Sequence, residues 1–126
     1  MDKYDRFITD ILNKTEDGTL EWQPVSPSSY FEFIFQSQFA YQAFSTTYEK
    51  DKRKYTLVFV NKKIPGHHED LDVTIERHYS EILVFESGTL LLTINNNYVD
   101  DDRLSRLGLQ IEDSNSGAKD LLAGFD

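Results

Sequence analysis

The chain has 126 residues, with thirteen basic against twenty-two acidic side chains, a net charge of −9 and no cysteine. That length fits one domain over residues 1–126 with a buried core, while the charge opposes docking onto nucleic acid phosphate or anionic lipid. The lack of cysteine excludes disulfides, a thiol nucleophile and a thiolate metal site.

Hydrophobic content of 39% and aromatic content of 13% exceed what a disordered chain carries. No apolar run reaches the roughly eighteen residues of a membrane span. The opening MDKYDRF lacks the apolar stretch of a secretion signal. The expectation is a cytoplasmic protein with no membrane association, its acidity serving solubility as in many small bacterial proteins.

Asp2–Lys14 reads as an amphipathic helix. Tyr4, Phe7, Ile8, Ile11 and Leu12 fall on one face at helical spacing. Asp2 and Asp5 suit the positive end of the helix dipole and Lys14 the negative end, with Gly18 a turn or cap residue beyond it. Leu20 and Trp22 alternate in Thr19–Gln23, a short strand that Pro24 is expected to end. Pro24–Ser29 (PVSPSS) is loop chemistry.

Tyr30–Tyr48 admits two readings at its start. Phe31, Phe33 and Phe35 alternate as in a strand, yet Ser29 and Glu32 stand at capping-box spacing, which fits helical turns from Ser29 to Gln36. From Phe39 the alternation is strand-like, and the total length predicts a break or bulge near Ser37. Glu49–Lys54 (EKDKRK) is a charged turn leading into a strand over Tyr55–Lys62, and the two strands form an antiparallel hairpin. Lys63–Asp70 (KIPGHHED) reads as a polar loop bending at Pro65-Gly66. Leu71, Val73 and Ile75 alternate into a further strand.

Tyr79–Val99 holds the densest apolar run. Glu81–Glu86 and Thr89–Ile94 are rich in residues that fit a pleated surface, and Ser87-Gly88 supplies a two-residue turn. A single buried helix is the rival, opposed by Gly88 and the β-branched residues. In the hairpin register Glu86 faces Thr89, Phe85 faces Leu90, Val84 faces Leu91 and Leu83 faces Leu92. Phe85, Leu90, Leu83 and Leu92 then form the expected core face of a central hairpin. Asp100, Asp101 and Asp102 open a second helix, with Leu104, Leu107 and Ile111 on one face and Gly108 leaving room for close packing. Asp113–Gly117 stops it, and Ala118–Phe125 is expected to form a short last helix.

The fold class that follows is α+β: an antiparallel β-meander sheet of about five strands, packed with an N-terminal helix and one or two C-terminal helices.

Chemistry is sparse. His67, His68, Asp70 and Asp72 are the candidate metal ligands by residue type, but neighbouring side chains on a loop rarely converge on one ion. The HExxH pattern is absent. The triple aspartate lacks the alternation and glycine hinge of an EF-hand loop and is read as a helix start. Ser26, Ser28 and Ser29 have no nucleophile elbow around them. The glycines match neither a dinucleotide nor a phosphate loop. The aromatics of Tyr30–Tyr48 suit a stacking platform by type and a core layer by ordinary burial preference. No catalytic residue and no cofactor is assigned.

The function expected from these features is a non-catalytic module that binds a protein, possible partners being a basic toxin or nuclease that it neutralises in immunity fashion, or a second copy through a sheet face or edge. A metal-dependent enzyme working through His67, His68, Asp70 and Asp72 is the first alternative. A DNA mimic is the second, disfavoured because the acids are spread along the chain among lysines.

Overall fold

The computed structural model describes residues 2–68, 73–115 and 125. Helix α1 spans Lys3–Glu16, capped by Asp2, whose carboxylate accepts from the Asp5 N–H at 2.9 Å. Strand β1 is Gln23–Val25, followed by 3₁₀ turns over Pro27–Phe33 and Ser37–Phe39. Strands β2 (Ala40–Lys50), β3 (Arg53–His68), β4 (Val73–Glu86) and β5 (Thr89–Ile94) then form a meander, and α2 is Asp101–Asn115. The five strands make one antiparallel sheet in the order β1-β2-β3-β4-β5, which is the expected α+β architecture.

Both sheet faces are covered, for reasons visible in the alternation. Leu57, Phe59, Ile82, Val84 and Ile94 point to the face that takes α1 and α2. Helix α1 contributes Ile8, Ile11 and Leu12, and α2 contributes Leu104, Leu107 and Ile111, the residues that helical spacing selects. Gly108 lets α2 sit against Phe59: a β-carbon there would lie 3.1 Å from Phe59 Cζ. The opposite face carries Val58, Val60, Leu83 and Phe85. It is covered by the 3₁₀ segment, through Tyr30, Phe33 and Ile34.

The structure corrects several expectations. The helix-side core is built on Ile82 and Val84, whereas Leu83 and Phe85 serve the smaller layer beneath the 3₁₀ segment. The 81–94 hairpin is not the middle of the sheet: β3 is, and β5 is an edge. The predicted register holds for Glu86–Thr89 and Phe85–Leu90. A bulge then leaves Leu91 unpaired and sets Val84 against Leu92 and Leu83 against Thr93.

Pro24 does not end a strand but lies inside β1, an edge position where its missing N–H breaks no inner ladder. Leu20 and Trp22 precede that strand and are buried in the core. The Trp22 Nε1–H donates to Thr15 Oγ1 at 3.1 Å. Of the two readings for residues 30–36, the helical turn is found, beginning at Pro27 rather than Ser29. The predicted break appears at Gln36, in the left-handed region at φ 53°.

Lys63–His68 is not a loop. β3 continues through Pro65 and Gly66, paired with Glu76 and Ile75 of β4. β2 leaves the ladder at Lys62 and β5 at Ile82, so residues 63–68 and 73–78 form a two-stranded ribbon. No described third strand calls on the missing Pro65 donor. The predicted last helix over 118–125 lies outside the described residues apart from Phe125, which is exposed.

Candidate functional site

Two features adjoin one another at the β5 side of the molecule: a cavity on the 3₁₀ face and the edge of β5 itself.

The cavity has a volume of about 480 Å³. The 3₁₀ segment supplies Phe33, Phe35 and Gln36, and the base of the ribbon supplies Ile64 and Tyr79. Thr93 and Asn95–Asn97, at the end of β5 and in the turn after it, complete the rim. Lys62 and Glu81 line it as well, from neighbouring strands on the face that carries Val60 and Leu83.

These two charges are buried, with side-chain exposures of 7% for Lys62 and 2% for Glu81. The Lys62 ammonium stands 3.7 Å from Glu81 Oε1, within ion-pair range but long for a hydrogen bond. It donates instead to the Phe35 carbonyl at 3.0 Å, tying the 3₁₀ segment to the sheet. Glu81 Oε1 has no hydrogen-bond donor among the described residues. Burial pushes the Glu81 carboxyl above its ordinary range, and the charge of Lys62 offsets only part of that. Beside the pair, Phe35 is 74% exposed and its ring lies 5.7 Å from the Lys62 ammonium.

The second feature is the edge. The two outer strands differ in how they meet solvent. β1 is three residues long and contains Pro24, both recognised protections against strand addition. β5 is six residues, TLLLTI, without charge or proline. Among the described residues no strand pairs with its outer side. Leu91 and Leu92 are exposed beside the bulge, as is Tyr98 just beyond the strand.

On the helix side, the Asn61 amide donates to Gln42 Oε1 at 3.1 Å and its carbonyl accepts from Ser80 Oγ at 2.7 Å. This network satisfies both polar ends of the Asn61 side chain.

The candidates from the sequence fare as follows. His67 and His68 end β3, and Asp70 and Asp72, the other two candidate ligands, lie outside the described residues. Among the described residues no three His, Asp or Glu side chains are grouped to hold a metal ion. Asp100–Asp102 open α2: the Asp100 carbonyl accepts from the Arg103 and Leu104 N–H groups. The Ser26 and Ser28 hydroxyls bond each other at 2.7 Å at the start of the 3₁₀ segment. The aromatics of residues 30–48 divide. Tyr30 and Phe33 pack on Phe85, while Phe35 and Tyr41 stay exposed.

Lys62 and Glu81 were missed because each falls within an alternating strand, where a charge reads as the solvent face. The missed signal was their position: Lys62 continues the Val58–Val60 face and Glu81 the Leu83–Phe85 face, both apolar.

The fold thus defines an α+β protein with a cavity beside a strand edge that no described strand covers. No described helix is long and apolar enough to cross a membrane. Neither protein-family models, nor curated proteins, nor solved structures gave a match to this chain.

Proposed function

We propose that this chain is a non-catalytic, cytoplasmic protein-binding module that receives a strand from a basic partner along β5. The single observation that carries the reading is the edge that no described strand covers: six uncharged residues with exposed Leu91 and Leu92, on a sheet whose other edge is blunted by Pro24. Strand addition draws affinity from main-chain hydrogen bonds and specificity from side-chain pockets along the edge.

Charge selects the partner. The net −9 steers a basic protein toward the surface, and Asp100, Asp101 and Asp102, all exposed, follow shortly after the edge strand. A second copy would bring the same −9 against itself, and nucleic acid phosphate is repelled on the same ground.

Hydrogen exchange with cross-linked, mass-identified partners from the host tests this reading. Slowed exchange of the Leu90–Ile94 amides on binding a basic protein, lost in Leu91→Lys and weakened by salt, supports it. Protection of a different face overturns it. So does a homodimer in light scattering that Leu91→Lys dissociates, or a monomer that captures no partner.

A further inference from the structure

We propose that the cavity bounded by the 3₁₀ segment, the ribbon base and the Asn95–Asn97 turn is a binding site for a neutral polyhydroxylated ligand, a sugar of monosaccharide size. This reading does not rest on strand addition at β5.

The cavity floor holds an unanswered demand. Glu81 is almost wholly buried, and its Oε1 receives no hydrogen bond. A buried acceptor left without a donor is costly and rare in folded proteins. Lys62 carries three N–H donors, of which one serves the Phe35 carbonyl. That bond accounts for Lys62 as a tie between segment and sheet. Glu81 supplies the counter-charge that the buried ammonium needs, but that role leaves its Oε1 without a donor.

The charges decide the ligand class. Lys62 beside Glu81 opposes a second cation, so an ammonium, a guanidinium or a metal ion is disfavoured. Glu81, within a chain of net charge −9, opposes an anion. Oε1 itself has almost no accessible surface, so a neutral ligand that accepts from the Lys62 ammonium, and donates to Oε1 once the carboxylate turns into the cavity, fits both. Adjacent hydroxyls on one ring present a donor and an acceptor side by side, matched to two protein groups 3.7 Å apart.

The walls agree. Phe35, Phe33 and Tyr79 offer apolar faces for the C–H surface of a sugar ring. The side-chain amides of Gln36 and Asn95–Asn97 both donate and accept, as hydroxyl recognition requires. Gln36 holds the left-handed conformation at φ 53° while lining this cavity, and strained backbone of this kind gathers at binding sites. At about 480 Å³ the cavity lies within the size range of small-molecule sites.

The test is nuclear magnetic resonance titration of the full chain with glucose, galactose, mannose and N-acetylglucosamine, each to about 10 mM, enough to register Kd values near 1 mM. Support is a saturable shift of the Asn95–Asn97 side-chain amides with at least one sugar, weakened tenfold or more in Phe35→Ala. Phe35 is largely exposed, so that variant is expected to unfold at the wild-type temperature. Gln36→Gly is expected to raise the unfolding temperature while weakening the same sugar, separating the cavity from fold stability. Leu91→Lys should leave sugar binding unchanged. No shift with any of the four sugars overturns the proposal, as does a shift that Phe35→Ala leaves intact. Stronger binding of N-acetyl-lysine methylamide, arginine methyl ester or acetate than of every sugar overturns it too.

Discussion

Lys62 and Glu81 show what a buried ion pair does to a small protein. Each charge lost its water, and their attraction across 3.7 Å is imperfectly supplemented by hydrogen bonds. Removing one partner leaves the other charged and alone. Glu81→Leu is therefore expected to cost about 3–5 kcal/mol. Lys62→Met with Glu81→Leu together should cost far less, or raise stability by about 1–4 kcal/mol. Chemical denaturation of the two single variants and the double variant checks this. The pH dependence has a defined sign. Because the folded Glu81 carboxyl is raised above its ordinary value of 4.5, its contribution is fully present below that pH and is lost as pH rises through the folded pKa.

Tyr48 and Asp10 make the opposite case, at the surface of the helix layer. The Tyr48 hydroxyl donates to Asp10 Oδ2, joining β2 to α1. Burial, then the Asp10 bond, raises the Tyr48 phenol well above its ordinary 10.0. Burial opposes ionisation of Asp10, but its hydrogen bonds from Tyr48 and Lys14 outweigh that and leave the carboxyl below 3.8. Tyr48→Phe should cost about 1 kcal/mol near neutral pH, a modest figure because Asp10 is part-exposed. The wild-type advantage should shrink as pH rises past 10, where the unfolded tyrosine ionises first. It should shrink again as pH falls from 3.8 through the folded Asp10 value. Thermal unfolding of both proteins across pH measures the two arms.

At the scale of elements, Gly108 is where α2 meets the sheet with no room for a side chain. Replacing a helical glycine by alanine ordinarily gains about 1 kcal/mol. Here the new β-carbon would stand 3.1 and 3.2 Å from the Phe59 ring, which is fully buried and edge-packed against Trp22. Phe59 has little room to yield, and overpacking costs about 1–3 kcal/mol. Gly108→Ala should therefore lower the unfolding temperature, whereas the same change on a free helix face would raise it. Calorimetry reads the sign directly.

The helices were legible in the sequence because their apolar residues recur at a single period, and Gly108 stood out within that stripe. Strand identity was legible too, but strand extent was not. Pro24, Pro65 and Gly66 punctuate most chains, yet here they sit on strands with an open side and interrupt nothing. The register of β5 was readable only up to the bulge at Leu91, since no local residue type announces where an extra residue enters a ladder. The cavity was not legible: it is assembled from residues far apart in sequence, and its polar lining mimics ordinary surface.

For the whole molecule, β3 is the strand on which everything else depends. Leu57, Val58, Phe59 and Val60 are fully buried by layers on both faces. Beyond Lys62 the support ends, and β3 and β4 continue as a ribbon with no described third strand. Two strands alone are marginal in water. Amide exchange should accordingly be slowest at residues 57–60 and 82–84 and should quicken stepwise along residues 63–67 and 74–78. Uniform protection along the ribbon would mean that another surface supports it.

The unequal borders of the sheet also set a limit on assembly. A filament grows by strand addition only if every unit offers two open borders, one to receive and one to be received. Here Pro24 and the shortness of β1 close one border. A strand added at β5 would therefore complete the sheet instead of extending it, and the product would be a finite complex whose stoichiometry stays fixed as concentration rises.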